Sequence, residues 1–270
     1  MIDGENIQLK VLVESGQDPS SKSISAYIID HYPFQHSTIK EILTYDGYAL
    51  YRSEERHLNM NGFEEVLAEL GMKASTIIFL SKHSSQAKIK SLTVHAMGNI
   101  GEALLGGFPS QVSMSDPGNM SSALRIMRKN PVEGFNITFE ATHHGPLIKV
   151  PSFFIEIGTE KEDWENRSAL ETVSKAVMNC SDDGKGGFIG IGGGHYSPKI
   201  TEYAVSSGIN VGHILSKHTH EFLTVDLLKQ CMDRTKGFRG FLVDWKGTRG
   251  PIREMVRNIA SEGSYELISI

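Results

Sequence analysis

Cysteine is scarce in this chain of 270 residues: only Cys180 and Cys231 occur, each inside a helix-period pattern. Two thiols so placed exclude a disulfide framework and a cysteine-rich zinc module, and reduced, buried side chains are expected. Long apolar runs are absent as well, since the most compact, residues 76–80, falls far short of a bilayer span. No basic flank followed by an apolar segment opens the sequence, so a soluble, cytoplasmic protein with no membrane partner is expected. Repeats and proline-rich tracts are missing too. Nine prolines and 22% charged residues exclude collagen-like, coiled-coil and disordered classes. Neither sign of charge dominates, because 27 Lys and Arg against 32 Asp and Glu leave a formal net charge of −5. Histidine, by contrast, is plentiful, with eleven in the chain.

The spacing of apolar residues predicts alternating strands and helices. Residues 7–14 read as a buried strand, and Asp18 with Pro19 supplies an N-cap and a first-turn proline for a helix burying Ile24, Tyr27 and Ile28. Strands over 38–44 and 48–53 flank an Asp46-Gly47 turn, a helix over 63–70 stops at Gly71, and 76–80 and 91–95 are further strands. Residues 98–118, rich in Gly, Ser and Pro, read as a long surface loop ahead of a short helix over 123–129. The second half alternates more regularly. Strands are predicted over 135–142, 152–157, 188–191, 209–215, 238–245 and 265–270. Between them, Thr159 with Glu162 suggests a capping box, and Pro198, Thr224 and Pro251 each open a helix. No Pro/Ser-rich linker separates the halves. The expected architecture is α/β, a single domain with a mixed, mostly parallel sheet flanked by helices.

In such sheets ligand sites form at the carboxyl ends of strands. His83, His95, His143-His144, Glu156, His195 and His218 all fall at or just past predicted strand ends. Imidazoles together with a carboxylate suit Zn²⁺ or another transition metal, and a catalytic site keeps one position for water. The candidate ligands are His143 or His144, Glu156 and His195, with His83, His95, His213 and His218 as further members. Without a metal, a His would act as general base while Lys217 or Lys82 stabilised an oxyanion. Gly184–Gly194 holds seven glycines in eleven residues, yet neither a phosphate loop nor a dinucleotide fingerprint is present. A strand that runs into Gly192-Gly193-Gly194 lets backbone N–H groups approach an anion closely. Residues 234–257 carry seven Lys or Arg against two acids, and Arg249, Arg253 and Arg257 recur every four residues, a spacing that puts phosphate-binding charge on one helical face.

The same residues resemble the archaeal and plant type of D-aminoacyl-tRNA deacylase. The matching blocks are Ser81-Lys82-His83, Leu92-Thr93-Val94-His95 with Gly98-Asn99, and His143-His144-Gly145-Pro146 leading to Pro151, Ile155-Glu156-Ile157-Gly158 and Trp164. Gly192-Gly193-Gly194-His195-Tyr196 with Pro198-Lys199, and Gly212-His213-Ile214-Leu215 with Lys217-His218, complete them. They run in order through the chain, leaving residues 1–6 as an N-terminal extension to a deacylase domain over 7–270. The resemblance implies a fold of the phosphorylase and peptidyl-tRNA hydrolase-like kind. It also implies a cytoplasmic, zinc-associated hydrolase, with one or two ions, that cleaves the ester joining a D-amino acid to the terminal ribose of tRNA. No protein partner is evident, and a monomer or small homo-oligomer is expected. Chemistry then suggests the roles. His143, Glu156 and His195 are expected to hold the metal that activates water, and N–H groups around Gly193 and Gly194, with Lys217, to hold the oxyanion. His83, His95, His144, His213 and His218 are expected to complete the site by shuttling protons, binding a second metal or touching the terminal adenosine. The arginines at 249, 253 and 257 would grip acceptor-stem phosphates. Two rivals stand beside this: a metal-dependent amidohydrolase or peptidase acting on small molecules, and a nucleic-acid-binding protein with a structural zinc.

Overall fold

Asp18 does what its position before Pro19 predicts. In the computed structural model, which describes residues 8–84 and 88–270, its carboxylate accepts the Ser21 N–H at 3.0 Å and so caps α1 (Pro19–His31), just after the buried strand β1 (Leu9–Ser15). The expected extension over residues 1–6 lies outside the described residues. Next come β2 (Gln35–His36), β3 (Ile42–Tyr45) and β4 (Tyr48–Ser53), an antiparallel meander with Asp46 and Gly47 at its last turn. The strand expected over 38–44 starts only at Ile42, because the Ser37 side chain closes a local turn on both the N–H and the carbonyl of Ile39. After α2 (Phe63–Glu69), β5 (Ala74–His83) and β6 (Ser91–His95) form as strands covered on both faces.

The segment over 98–118 is a surface loop only in its middle, residues 101–111 being mostly exposed, whereas its flanks are packed. Its ends pair as β7 (Gly98–Asn99) and β8 (Gln111–Val112), Ser113, Ser115 and Asp116 are fully buried, and α3 (Pro117–Lys129) begins well before residue 123. Asp116 and Pro117 repeat the cap-and-proline device of α1, with the Asn119 N–H bonded to the Asp116 carboxylate at 3.2 Å. Ser113, Ser115 and Gly118, small residues that look loop-like in sequence, are here packed rather than solvated.

β9 (Asn136–Phe139), β10 (Ser152–Gly158), α4 (Lys161–Trp164) and α5 (Arg167–Asn179) follow. Asp163, rather than Glu162, secures the turn before α4 by accepting the N–H groups of Thr159 and Glu160, and Asn166 caps α5 separately. The chain then alternates as expected through β11 (Gly187–Ile191), α6 (Pro198–Ser207), β12 (Val211–Leu215), α7 (Val225–Asp233), β13 (Phe238–Val243), α8 (Gly250–Glu262) and β14 (Glu266–Ser269). Both cysteines are free and buried.

The strands make two large sheets instead of one. Eight lie in the order β2-β3-β4-β1-β5-β10-β6-β9, in which β4, β1, β5 and β10 are mutually parallel, and four parallel strands lie in the order β12-β11-β13-β14. The fold is thus mixed α/β and mostly parallel, with helices on its faces. Residues 139–142 join the sheets: the Ala141 N–H donates to the His195 carbonyl and the Thr142 N–H to the Ile214 carbonyl, both at 2.8 Å. One apolar cluster spans the junction, with Ile78, Val94 and Phe153 of the first sheet in it beside Phe188, Val211 and Ile214 of the second. Among the described residues no helix is long and apolar enough to cross a membrane.

Candidate active site

A cavity of about 600 Å³ lies beside this junction, and His83, His143, His144, Glu156 and His195 all stand on its wall. Behind it His95, the last residue of β6, is fully buried and stacks on Phe154 at 5.2 Å between ring centroids. His143 and His144 are consecutive, so in extended backbone their side chains would point to opposite sides. His144 instead takes φ of +40°, and the two rings meet at 4.3 Å while His143 lies 4.2 Å from His95.

The Nδ1 atoms of these three rings are each spoken for by a backbone carbonyl: Ala96 for His95 at 3.2 Å, Ala141 for His143 at 2.8 Å and Gly145 for His144 at 2.6 Å. A carbonyl oxygen can only accept, so Nδ1 carries the proton and the Nε2 lone pair is left as a ligand. Ligand atoms of His95, His143 and His144 come within 4.8 Å of one another. Burial and the neighbouring imidazoles hold His143 well below its ordinary pKa, and burial with His95 brings His144 down to about 4, so both favour the uncharged form that binds metal. Burial also opposes a charge on His95, but Glu156 outweighs it and raises its pKa. His95 Nε2 has no hydrogen-bond partner and lies 3.8 Å from Glu156. An unpartnered buried nitrogen facing a carboxylate calls for positive charge between them, and this donor set fits a transition-metal cation.

A second group centres on Glu140, which follows β9 and is buried. Its Oε2 accepts from His195 Nε2 at 2.8 Å and lies 3.7 Å from His143 Nε2. Its Oε1 lies 2.9 Å from His83 Nδ1, though too far out of line to count as a hydrogen bond. Burial works against the Glu140 charge, but His195 and His83 hold its pKa well below the usual carboxylate range. Burial likewise opposes protonation of His83, yet Glu140 and Glu156 push it up to about 11. Its Nε2 meets the Tyr196 hydroxyl at 2.6 Å.

The expected ligand trio of His143, Glu156 and His195 is therefore regrouped. Ligand atoms cluster as His95 with His143 and His144, as His83 with Glu140 and His195, and as His95 with Glu140 and Glu156. His213 is not at the cavity. It is fully buried, its Nδ1 accepting from Thr142 at 3.1 Å and its Nε2 donating to the carbonyls of Ser113 and Arg234, so both nitrogens serve packing. Lys217 and His218 are exposed and off the cavity wall, although the Lys217 N–H does bond the Gly193 carbonyl at 2.9 Å. Gly193 and Gly194 are off it too. The glycine turn packs on residues 244–248, where a Cβ on Gly192 would overlap the Thr248 hydroxyl, so close packing accounts for that glycine. Arg249 precedes α8, and Arg253 and Arg257 lie over the Trp245 ring at 5.4 and 4.4 Å. Sequence reasoning missed His57, which stands on the cavity wall, and Glu140, although an acid between Phe139 and Ala141 at a strand end carries the same signal that singled out Glu156.

Imidazoles and carboxylates converging at strand ends of a mixed α/β protein, beside a cavity, define a site of the hydrolytic class. The chain belongs to the D-aminoacyl-tRNA deacylase family, whose model matches residues 70–268. It is 40% identical to the D-aminoacyl-tRNA deacylase of Thermoplasma acidophilum, over 97% of this chain and 100% of that one. It is 33% identical to the D-aminoacyl-tRNA deacylase of Pyrococcus abyssi, over 96% and 99%. A crystal structure of a conserved protein of unknown function, AF0625, is similar with a TM-score of 0.90 at 28% identity, covering 97% of this chain and 95% of that one.

Proposed function

We propose that this chain hydrolyses the ester of D-aminoacyl-tRNA to free D-amino acid and tRNA, using water activated beside a zinc ion held by His95, His143 and His144. Family membership supplies the substrate and its chirality. The observations behind the metal are that His95, His143 and His144 each bring a ring nitrogen within 4.8 Å of the others, and that backbone carbonyls engage all three Nδ1 atoms, leaving Nε2 as the free donor. Zinc in such a place supplies Lewis acidity, which brings the pKa of water down to roughly 7.

The chain's own residues do the rest. Glu140 accepts the Nε2–H of His195 and so fixes the tautomer in which His195 Nδ1 takes a proton from the attacking water. His83, protonated between Glu140 and Glu156, balances two buried carboxylates that would otherwise repel each other. Arg249, Arg253 and Arg257 meet phosphates of the acceptor stem. The same reading implies a cytoplasmic enzyme.

The test is a deacylation assay with D- and L-tyrosyl-tRNA, with the metal content of the same preparation measured by atomic emission. Hydrolysis of the D form alone, with zinc bound, is expected. An unchanged rate after complete metal removal would leave His195 and Glu140 as the whole of the catalytic apparatus and end the zinc assignment.

A further inference from the structure

The four most exposed large apolar side chains among the described residues are Leu104 at 82%, Leu105 at 54%, Phe222 at 50% and Phe108 at 46%. Three of them belong to one segment and the fourth packs against it. Leu104, Leu105 and Phe108 share the segment joining β7 to β8, and the Phe222 ring packs on Gly101 of that segment, 3.1 Å from where a Cβ would stand. Leu105 is itself part of the cavity wall.

This segment is firmly built. Asn99 Nδ2 donates to the carbonyls of Gly106 at 2.9 Å and Phe108 at 3.2 Å, and the Leu105 carbonyl accepts the N–H of Gly145, the residue after His144. Gly106, with φ of +69°, lies so close to Leu58 that a Cβ would overlap the Leu58 carbonyl. Ile100 and Val112, at its two ends, pack with Leu223 and Leu227 in the apolar cluster of the second sheet. The backbone is thus anchored, while Leu104 stands largely in water and Leu105 and Phe108 about half so, exposing apolar surface beside the cavity. Phe222 shares its own segment with the exposed cation Lys217 and directly follows the exposed acid Glu221.

Exposed aromatic faces are platforms on which proteins stack unpaired nucleotides without reading sequence. We propose that the unpaired nucleotides at the 3′ end of the tRNA stack on Phe108 and Phe222, with Leu104 and Leu105 against their edges, so that the ester hangs over the cavity. This rests on the substrate proposed above.

Two RNA hairpins of the acceptor stem, one ending in the unpaired nucleotides and one blunt, are titrated against wild type, Phe108→Leu, Phe222→Leu and the corresponding Phe→Tyr variants. Leucine keeps apolar bulk but has no π-face, whereas tyrosine keeps both. Wild type is expected to bind the tailed RNA roughly tenfold more tightly than the blunt one. Each Leu variant should lose most of that difference, bind blunt RNA as before and melt near the wild-type temperature, while each Tyr variant retains it. Equal affinity of wild type for the two RNAs, or Leu variants that keep the full difference, overturns the proposal. So does sedimentation showing a dimer that dissociates in Phe222→Leu, which assigns the surface to a second copy of the chain. None of these measurements needs catalysis, so a failure to hydrolyse D-aminoacyl-tRNA would overturn the activity separately.

Discussion

Glu140 Oε2 accepts from His195 Nε2 at 2.8 Å, joining a buried carboxylate of the first sheet to an exposed imidazole on the turn that leaves the second. The backbone is tied at the same place, because the Ala141 N–H donates to the His195 carbonyl. The geometry of the pair is therefore set by the joint between the sheets. Replacing Glu140 with Gln keeps the shape and removes the charge that orients His195. Deacylation of D-tyrosyl-tRNA should fall on the order of 10²- to 10⁴-fold in kcat, with KM little changed. Single-turnover rates check this, and a wild-type rate would remove Glu140 from the mechanism.

His143→Ala or His144→Ala should each lose zinc on dialysis, whereas His195→Ala should keep it and lose rate. Three imidazole ligands are few enough that losing one opens the site, while His195 belongs to the Glu140 group. Metal analysis beside activity separates the outcomes, and zinc lost only from the His195 variant would reverse the assignment.

His213 should make stability depend on pH. Burial pulls its pKa down to about 4, against roughly 6.5 in the unfolded chain. Between those values the unfolded state binds the extra proton, so this contribution is intact above about pH 6.5 and lost progressively as pH falls toward about 4, by about 3 kcal/mol at most. Urea unfolding of wild type and His213→Gln at about pH 7 and about pH 4.5 tests it. The Gln variant, which keeps a donor toward the Ser113 carbonyl, should show a smaller drop while still deacylating. An equal drop would place the pH dependence elsewhere.

Neutralising Arg249, Arg253 and Arg257 together should raise KM for the tRNA and flatten its dependence on salt by about one unit of slope for each phosphate that is no longer neutralised. Arg253 and Arg257 both lie over Trp245, so Trp245→Leu should reproduce part of the effect by releasing two long side chains from one orientation. A triple variant with unchanged salt slope would show that this face does not meet phosphate.

Local chemistry made much of this protein legible in its sequence. Asp18-Pro19 announces α1, the alternation of apolar runs with helix caps announces a mostly parallel α/β fold, and imidazoles at or past strand ends single out His83, His95, His143, His144 and His195, which the fold brings together. These features depend on neighbours within a few residues, which sequence records directly. Grouping was different. His213 and His195 are both candidate site residues in sequence, yet one closes hydrogen bonds inside the core and the other reaches the cavity. Glu140 joins the site because residues 139–142 cross from one sheet to the other, and the flanks of the segment over 98–118 pack because Asn99 and Asp116 satisfy its backbone. Which side chains come together depends on the left-handed turn at His144 and on how two sheets meet, contacts between residues far apart in the chain that only the folded structure brings within bonding distance.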